Sequence, residues 1–132
     1  MEQLLQCPES GEIKQFLIYQ VLSARKQYLE VFQRGTYHKL TISGSLKGHI
    51  IAFCRKLGEQ QIIVVVYRFI TPLIKEGEYP IGEQVWQETP IVSLSVSKPV
   101  WNNLVTKQQV PSGDIIWLRD ILKSFPVALL GN

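Results

Sequence analysis

The stretch "HIIAFCRKLGEQQIIVVVYRF", residues 49–69, decides the fold of this chain. Two runs of strand-forming residues, "HIIAFCRK" and "QIIVVVYRF", stand on either side of a short turn around Gly58, which predicts a pair of adjacent strands. The run Ile62–Val66 is apolar without alternation, which indicates a central strand covered on both faces. The sequence therefore predicts a sheet with packing on both of its sides.

Further strands are predicted on either side of this pair. "TYHKLTIS" (36–43) alternates in polarity, and so does "IVSLSVSK" (91–98), in which Val92, Leu94 and Val96 point inward. Another strand is predicted near Trp101–Thr106, followed by a Pro-Ser-Gly turn at 111–113. "DIIWLRDILKSFPVALL" (114–130) is typical of a strand, a short helical turn and a final strand. We expect a mainly-β fold, an antiparallel β-sandwich or barrel of about seven strands.

The N-terminal region has helical spacing instead. The segment "GEIKQFLIYQVLSARKQYLEVFQR" (11–34) lies between an N-cap residue, Ser10, and a stop at Gly35. One apolar stripe contains Ile13, Leu17, Val21, Ala24, Tyr28 and Val31, and a second contains Ile18, Leu22 and Leu29. Because a surface helix normally has one apolar face, two stripes indicate burial on two sides. The second stripe is therefore a candidate interface.

These patterns predict one domain. We expect a tail over residues 1–9 and a single domain over 10–132, in which a long helix (10–34) precedes an antiparallel β domain (35–132). Apolar residues make up 45% of the 132 and charged residues 19%, as in an ordinary globular protein.

Charge and hydropathy exclude two classes of partner. The net charge of +3 is scattered without a basic run, so we expect no nucleic-acid partner. No stretch reaches the ~18 apolar residues of a membrane span, and the N-terminus lacks a secretion signal, so we expect a cytoplasmic protein without a membrane partner. Cys7 and Cys54 are then expected as reduced thiols.

The sequence contains no convincing catalytic or metal-binding constellation. His38 and His49 have no ligand-type residue at a metal-binding spacing, and Cys54 lies inside an apolar strand. We therefore predict no catalytic residue, no cofactor and no metal ion.

The stretch "PIGEQVWQET" (80–89) holds two acids around a tryptophan, as sugar-cleaving clefts do. Glycoside hydrolysis needs two carboxyl groups, but Glu83 and Glu88 lie in a polar loop, where acids are usually solvated. Trp86, Trp101 and Trp117 are capable of stacking on sugar rings, although anchoring a small β domain is the favoured interpretation.

Four motifs follow one another along the chain. The first, in the helix and its exit, contains Gly11, Ile13, Lys14, Arg25, Phe32, Gly35, Tyr37 and Leu40. The second contains His49, Ala52, Phe53, Arg55 and Arg68, the third contains Gly82, Trp86 and Thr89, and the fourth is "FPVALL" (125–130). In this order the four motifs resemble the C-terminal region of maltooligosyl trehalose synthases, which belong to the α-amylase superfamily. The chain departs from the family pattern at Ser10, Lys39 and Tyr67.

The resemblance implies that the catalytic carboxylates lie on a (β/α)8 barrel that is not in this chain. It identifies the second helical stripe, Ile18, Leu22 and Leu29, as a former barrel-facing surface, and it makes Trp86 a loop anchor that is at least half buried. The expected function is a non-catalytic C-terminal module of α-glucan-to-trehalose metabolism, without activity of its own, that packs on or assists a barrel chain.

Two alternatives remain open at the level of sequence. One is a freestanding α-glucan-binding module that contacts sugar through Trp86, Trp101 and, at the helix entrance, Lys14. The other is a protein-interaction domain that forms a homodimer through the N-terminal helix.

Overall fold

The computed structural model describes residues 1–92, 100–111 and 113–132, and these residues form a mainly-β protein. Nine strands are present in the described part: β1 (Thr36–Lys39), β2 (Thr41–Ile42), β3 (Ile50–Leu57), β4 (Gln60–Tyr67), β5 (Pro90–Val92), β6 (Val100–Asn103), β7 (Gln109–Pro111), β8 (Ile116–Trp117) and β9 (Ala128–Gly131). They make two antiparallel sheets, which confirms the predicted fold class, and within the described residues neither sheet closes into a barrel.

The larger sheet has the strand order β1-β3-β4-β9-β6-β7, and the smaller one has the order β2-β5-β8. β3 and β4 pair from Leu57↔Gln60 to Ile50↔Tyr67, as the opening stretch predicts. β9 pairs with the other side of β4, so β4 is an interior strand. Ile62 belongs to the apolar cluster under the helices, while Ile63 belongs to the cluster on the opposite face. The prediction of a central strand covered on both faces is confirmed.

Five α-helices accompany the sheets in the described residues: α1 (Glu2–Gln6), α2 (Glu12–Gln27), α3 (Leu29–Arg34), α4 (Gly82–Trp86) and α5 (Leu118–Ile121). The helix predicted over 10–34 is interrupted at Tyr28, whose φ and ψ are −110° and 35°. Gly11, with a φ of 75°, stands at the N-cap of α2, and the Ser10 hydroxyl accepts a hydrogen bond from the Glu12 N–H at 3.3 Å.

The interruption at Tyr28 is fixed by the C-terminal strand. The Tyr28 side chain is buried, and its hydroxyl donates a hydrogen bond to the backbone carbonyl of Asn132 at 3.2 Å. A Cβ at Gly131 would lie 2.8 Å from that hydroxyl, so the absence of a side chain there allows the close approach. The break therefore brings α2 and α3 onto the end of β9.

The core has two parts, one on each face of the larger sheet. Between the sheets lies a cluster that includes Trp86, Trp101, Ile63, Val65, Ile91, Ile116, Leu118 and Leu130. Under the helices lies a second cluster that includes Ala24, Tyr28, Val31, Ile62, Leu104, Phe125 and Leu129. Phe16 of α2 packs on Phe125 with ring centroids 5.7 Å apart, which seats the helix over the C-terminal segment.

Two strands differ from the sequence prediction. The strand predicted over 91–98 begins with β5, but its predicted inward face is wrong there, because Ile91 is fully buried and Val92 only partly. Leu94 and Val96 lie outside the described residues. β7 was not predicted, because its three residues, two of them exposed, carry almost no hydrophobic pattern. It forms because Trp101 of β6 pairs with Val110, which is buried.

The junction of α3 and β1 gives a direct test of packing. A Cβ added to Gly35 would collide with the backbone carbonyl oxygen of Val31 and lie 3.2 Å from that of Lys56. We therefore expect Gly35→Ala to lower the free energy of unfolding by about 2 kcal/mol or more, measured by urea denaturation. Gly48→Ala is the matched control because open space surrounds that position, and it should change stability by less than ~0.5 kcal/mol. Equal stability of the two variants would contradict this packing.

Candidate functional site

The second stripe of the N-terminal helix is uncovered in the described structure. Ile18, Leu22 and Leu29 keep 48%, 56% and 43% of their surface exposed, although all three are large apolar residues. The first stripe behaves differently, because Ala24, Tyr28 and Val31 are buried and Ile13 and Leu17 pack against the same cluster. The sequence thus distinguished the covered stripe from the uncovered one, apart from Val21 at the border, which is 36% exposed.

Basic residues surround the uncovered stripe. At 3.6 residues per turn, Lys14 and Arg25 lie along one side of Ile18 and Leu22, and Lys26 lies along the other. All three basic side chains are exposed. The two acids of the helical segment, Glu12 and Glu30, project from a different side of the helix. We call the patch of Ile18, Leu22, Leu29 and their basic neighbours the α2 surface.

Trp86 is a structural anchor. Its side chain is fully buried in the cluster between the sheets, and its indole Nε1 donates a hydrogen bond to the Pro80 carbonyl at 2.7 Å. The N–H of Gly82, whose φ is 78°, donates to the Leu122 carbonyl at 2.9 Å and ties α4 to α5. The expectation that Trp86 pins this loop and is at least half buried is confirmed.

The other tryptophans occupy different environments. Trp101 of β6 is fully buried, and its Nε1 has no hydrogen-bond partner in the described structure. Trp117 is half buried, with the Arg119 guanidinium 4.9 Å from its ring centroid. Neither Trp86 nor Trp101 presents an indole face to solvent on which a sugar ring could stack. Lys14 is exposed on α2, and that helix contains no tryptophan.

The acidic residues of the stretch "PIGEQVWQET" (80–89) are surface groups. Glu83 and Glu88 are exposed, and Glu83 forms a long ion pair of 3.9 Å with Arg119. Opposite charges at that distance in solvent contribute little to stability. Among the described residues no group of three or more His, Cys, Asp or Glu side chains could hold a metal ion.

The two histidines and two cysteines have ordinary structural surroundings. His38 Nε2 lies 2.7 Å from the Thr36 hydroxyl, and His49 Nδ1 donates to the Phe69 carbonyl at 2.8 Å. Both cysteines are free, with Cys7 exposed and Cys54 buried. Burial raises the pKa of the Cys54 thiol, which keeps it protonated and unreactive at neutral pH.

The residues that carry the family resemblance hold the backbone together. Arg55 donates two hydrogen bonds, from Nε at 3.2 Å and Nη2 at 2.7 Å, to the Gly35 carbonyl, and so fixes the helix exit to β3. Arg68 donates from Nε to the Gly48 carbonyl at 3.0 Å and from its backbone N–H to the His49 carbonyl at 2.8 Å. These contacts give Arg55 and Arg68 a structural role.

A groove that the sequence did not predict lies where β1 ends. It has a volume of about 710 Å³, and its lining includes Tyr37, Lys39, Lys47, Ile51 and Arg68. Tyr37 is 62% exposed and Ile51 is 42% exposed, while none of the described residues that line the groove is acidic. Sequence alone offered no pointer, because these residues come from four separate segments.

In the described residues no helix is long and apolar enough to cross a membrane. The fold is that of a two-sheet antiparallel β domain, in which the N-terminal helices cover one face of the larger sheet.

Comparison with known proteins identifies the same architecture within a larger enzyme. No protein family and no curated protein matches the sequence. Among solved structures, a point mutant of maltooligosyltrehalose synthase from Arthrobacter ramosus aligns with a TM-score of 0.67 and 23% sequence identity. The alignment covers 92% of this chain and 14% of the enzyme. The resemblance found in the sequence is thereby confirmed for the fold, and the chain spans about one seventh of the length of that enzyme.

The anchoring role of Trp86 predicts a specific loss of stability. Trp86→Phe removes the bond to the Pro80 carbonyl and leaves a small void, so we expect unfolding free energy to fall by about 2 kcal/mol. Trp117→Phe, at a half-buried position, should cost about 1 kcal/mol or less. Thermal and urea unfolding followed by circular dichroism measure both, and a smaller loss at Trp86 than at Trp117 would argue against the anchor.

Proposed function

We propose that this chain is a non-catalytic β domain that packs on a catalytic unit of the maltooligosyltrehalose synthase type, in α-glucan-to-trehalose metabolism. The observation that carries the proposal is the match of nearly the whole chain to 14% of such an enzyme. An uncovered apolar stripe on α2 supports it, because Ile18 and Leu22 gain free energy only when another surface excludes water from them.

The charges of the α2 surface favour a different protein over a second copy as the partner. In an antiparallel pair of α2 helices centred on Gln20, Ile18 would meet Leu22 of the second copy. The same arrangement would place Lys14 beside Arg25 of the second copy, twice, by symmetry. Like charges in these positions oppose dimerisation, whereas a partner with acids around an apolar patch would be complementary.

A freestanding sugar-binding role has weaker support. Its candidate platforms, Trp86 and Trp101, are fully buried, and the half-buried Trp117 is already in contact with Arg119.

A reducing compartment such as the cytoplasm is consistent with the free thiols of Cys7 and Cys54, so we propose a cytoplasmic location.

A turnover assay tests the absence of independent activity. Incubation of the purified chain with maltooligosaccharides should give no trehalosyl product, because the proposal places the reacting carboxylates on the catalytic unit. Chromatography of the product mixture provides the measurement, with intact maltooligosyltrehalose synthase as the positive control. Product formed in proportion to the concentration of this chain would overturn the proposal.

A domain exchange tests the docking surface. The chain would replace its matching region in the Arthrobacter ramosus enzyme, and we expect a folded chimera with measurable activity. Leu22→Glu in the chimera should lower its melting temperature and activity, because it places a charge in the apolar contact. A matched control is Gln109→Glu, which introduces the same side chain at an exposed position of β7 and should change neither quantity.

The isolated chain provides the baseline for that comparison. Leu22→Glu exposes no core group, so it should leave the stability of the isolated chain within ~0.5 kcal/mol of the parent. Docking through the α2 surface would be refuted if the two glutamate variants affected the chimera equally.

A further inference from the structure

The larger sheet has a gap beside the first residues of β3. β1 pairs with β3 only as far as Lys39↔Phe53, and one more bond joins the Leu40 N–H to the Ala52 carbonyl at 3.0 Å. The chain then enters β2, which pairs with β5 in the other sheet. No described strand is therefore paired with Ile50 on the β1 side, although β2 stays in contact with β3 and Ile50 remains paired with Tyr67 of β4 on the other side.

The alternation of hydrogen bonds along β3 directs the backbone N–H and carbonyl of Ile50 toward this gap. In an antiparallel sheet, successive residues of a strand direct their peptide groups to opposite neighbours. Ala52 bonds toward β1, and the His49 carbonyl bonds toward β4 by accepting from the Arg68 N–H. Ile50, two residues before Ala52, accordingly directs its N–H and carbonyl toward the open side. Ile50 and the neighbouring residues of β3 form one wall of the groove described above.

The groove has basic groups at both ends of the gap. Lys39 stands where β1 ends, Lys47 begins the turn before β3, and Arg68 follows β4 and is hydrogen-bonded to that turn. Arg68 is held in place by its hydrogen bond to the Gly48 carbonyl. Tyr37 and Ile51 add exposed apolar surface between these cations.

We propose that the groove binds an extended acidic peptide segment of a partner protein, which adds to β3 at Ile50 as a short strand. The main chain of the segment continues the line of β1, and its carboxylates meet Lys39, Lys47 and Arg68. Alternate side chains of an extended segment lie about 7 Å apart on one face, which spreads carboxylates along the groove. A small anion would use the cations but not the peptide groups of Ile50.

This site is separate from the proposed docking through α2, because the groove is lined by residues of β1, β2, β3 and the turns next to them. Either proposal can fail without the other.

A labelled model peptide provides the test. We would titrate fluorescein-labelled, capped Glu-Val-Glu-Val-Glu with the chain and follow the fluorescence anisotropy of the peptide. We expect saturable binding that the double variant Lys39→Gln, Lys47→Gln weakens by about tenfold, through the loss of two surface ion pairs. The control double variant Lys75→Gln, Lys123→Gln removes the same charge from exposed positions outside the groove and should bind within about twofold of the parent. Equal binding by the two double variants, or no binding at about 1 mM chain, overturns the proposal.

N-methylation of the peptide separates strand addition from simple charge attraction. Alternate N–H groups of an extended peptide point to opposite edges, so methylation at the glutamates and methylation at the valines block different edges. We expect one of the two methylated peptides to lose binding and the other to retain it. Equal binding of both, or complete displacement of the parent peptide by inorganic phosphate at unchanged ionic strength, would identify a charge-only site and refute strand addition.

Nuclear magnetic resonance locates the bound peptide. Amide shifts should change at Ile50 and Ile51 on titration, whereas those of Ile18 and Leu22 on α2 should not. Shifts confined to α2 would place the peptide elsewhere and contradict the proposal.

Discussion

The pairing of β4 with β3 on one side and β9 on the other is the interaction on which the rest of the structure depends. It joins the middle of the chain to its C-terminus and makes β4 an interior strand. Ile62 is buried under the helices and Ile63 between the sheets, and full burial of each such side chain contributes about 2 kcal/mol. Both halves of the core are therefore assembled on one strand.

The sequence motifs shared with maltooligosyl trehalose synthases describe how this arrangement is held. Arg55 joins the helix exit to β3, His49 and Arg68 fasten the other end of the strand pair, and Trp86 anchors α4 through Pro80. None of these contacts involves a reactive group. This explains how a chain with 23% identity to the enzyme retains the fold of one part of it.

The two surfaces to which we assign partners arise where covering of the sheets stops. On α2, the apolar stripe opposite the core remains exposed because nothing in the described structure packs on it, and Lys14, Arg25 and Lys26 surround it. At the groove, the pairing of β1 with β3 ends at Phe53, so the first residues of β3 leave an unpaired strand edge that faces the space between the cations. The first surface suits a folded partner with acids around an apolar patch, and the second suits an extended acidic segment.

The sequence by itself determined the order and type of the main elements and the existence of two helical stripes. It did so because hydrophobic period reports which faces of a helix or strand are buried. The environment of Trp86 was also predictable, since the loop around it matches a family pattern. The break at Tyr28, the strand β7 and the groove were decided by tertiary structure alone. The break depends on a contact between distant segments, Tyr28 with Asn132, and the cations Lys39 and Arg68 are brought to one groove only by the folded sheet. β7 depends instead on a cross-strand pair within one hairpin, Trp101 with Val110.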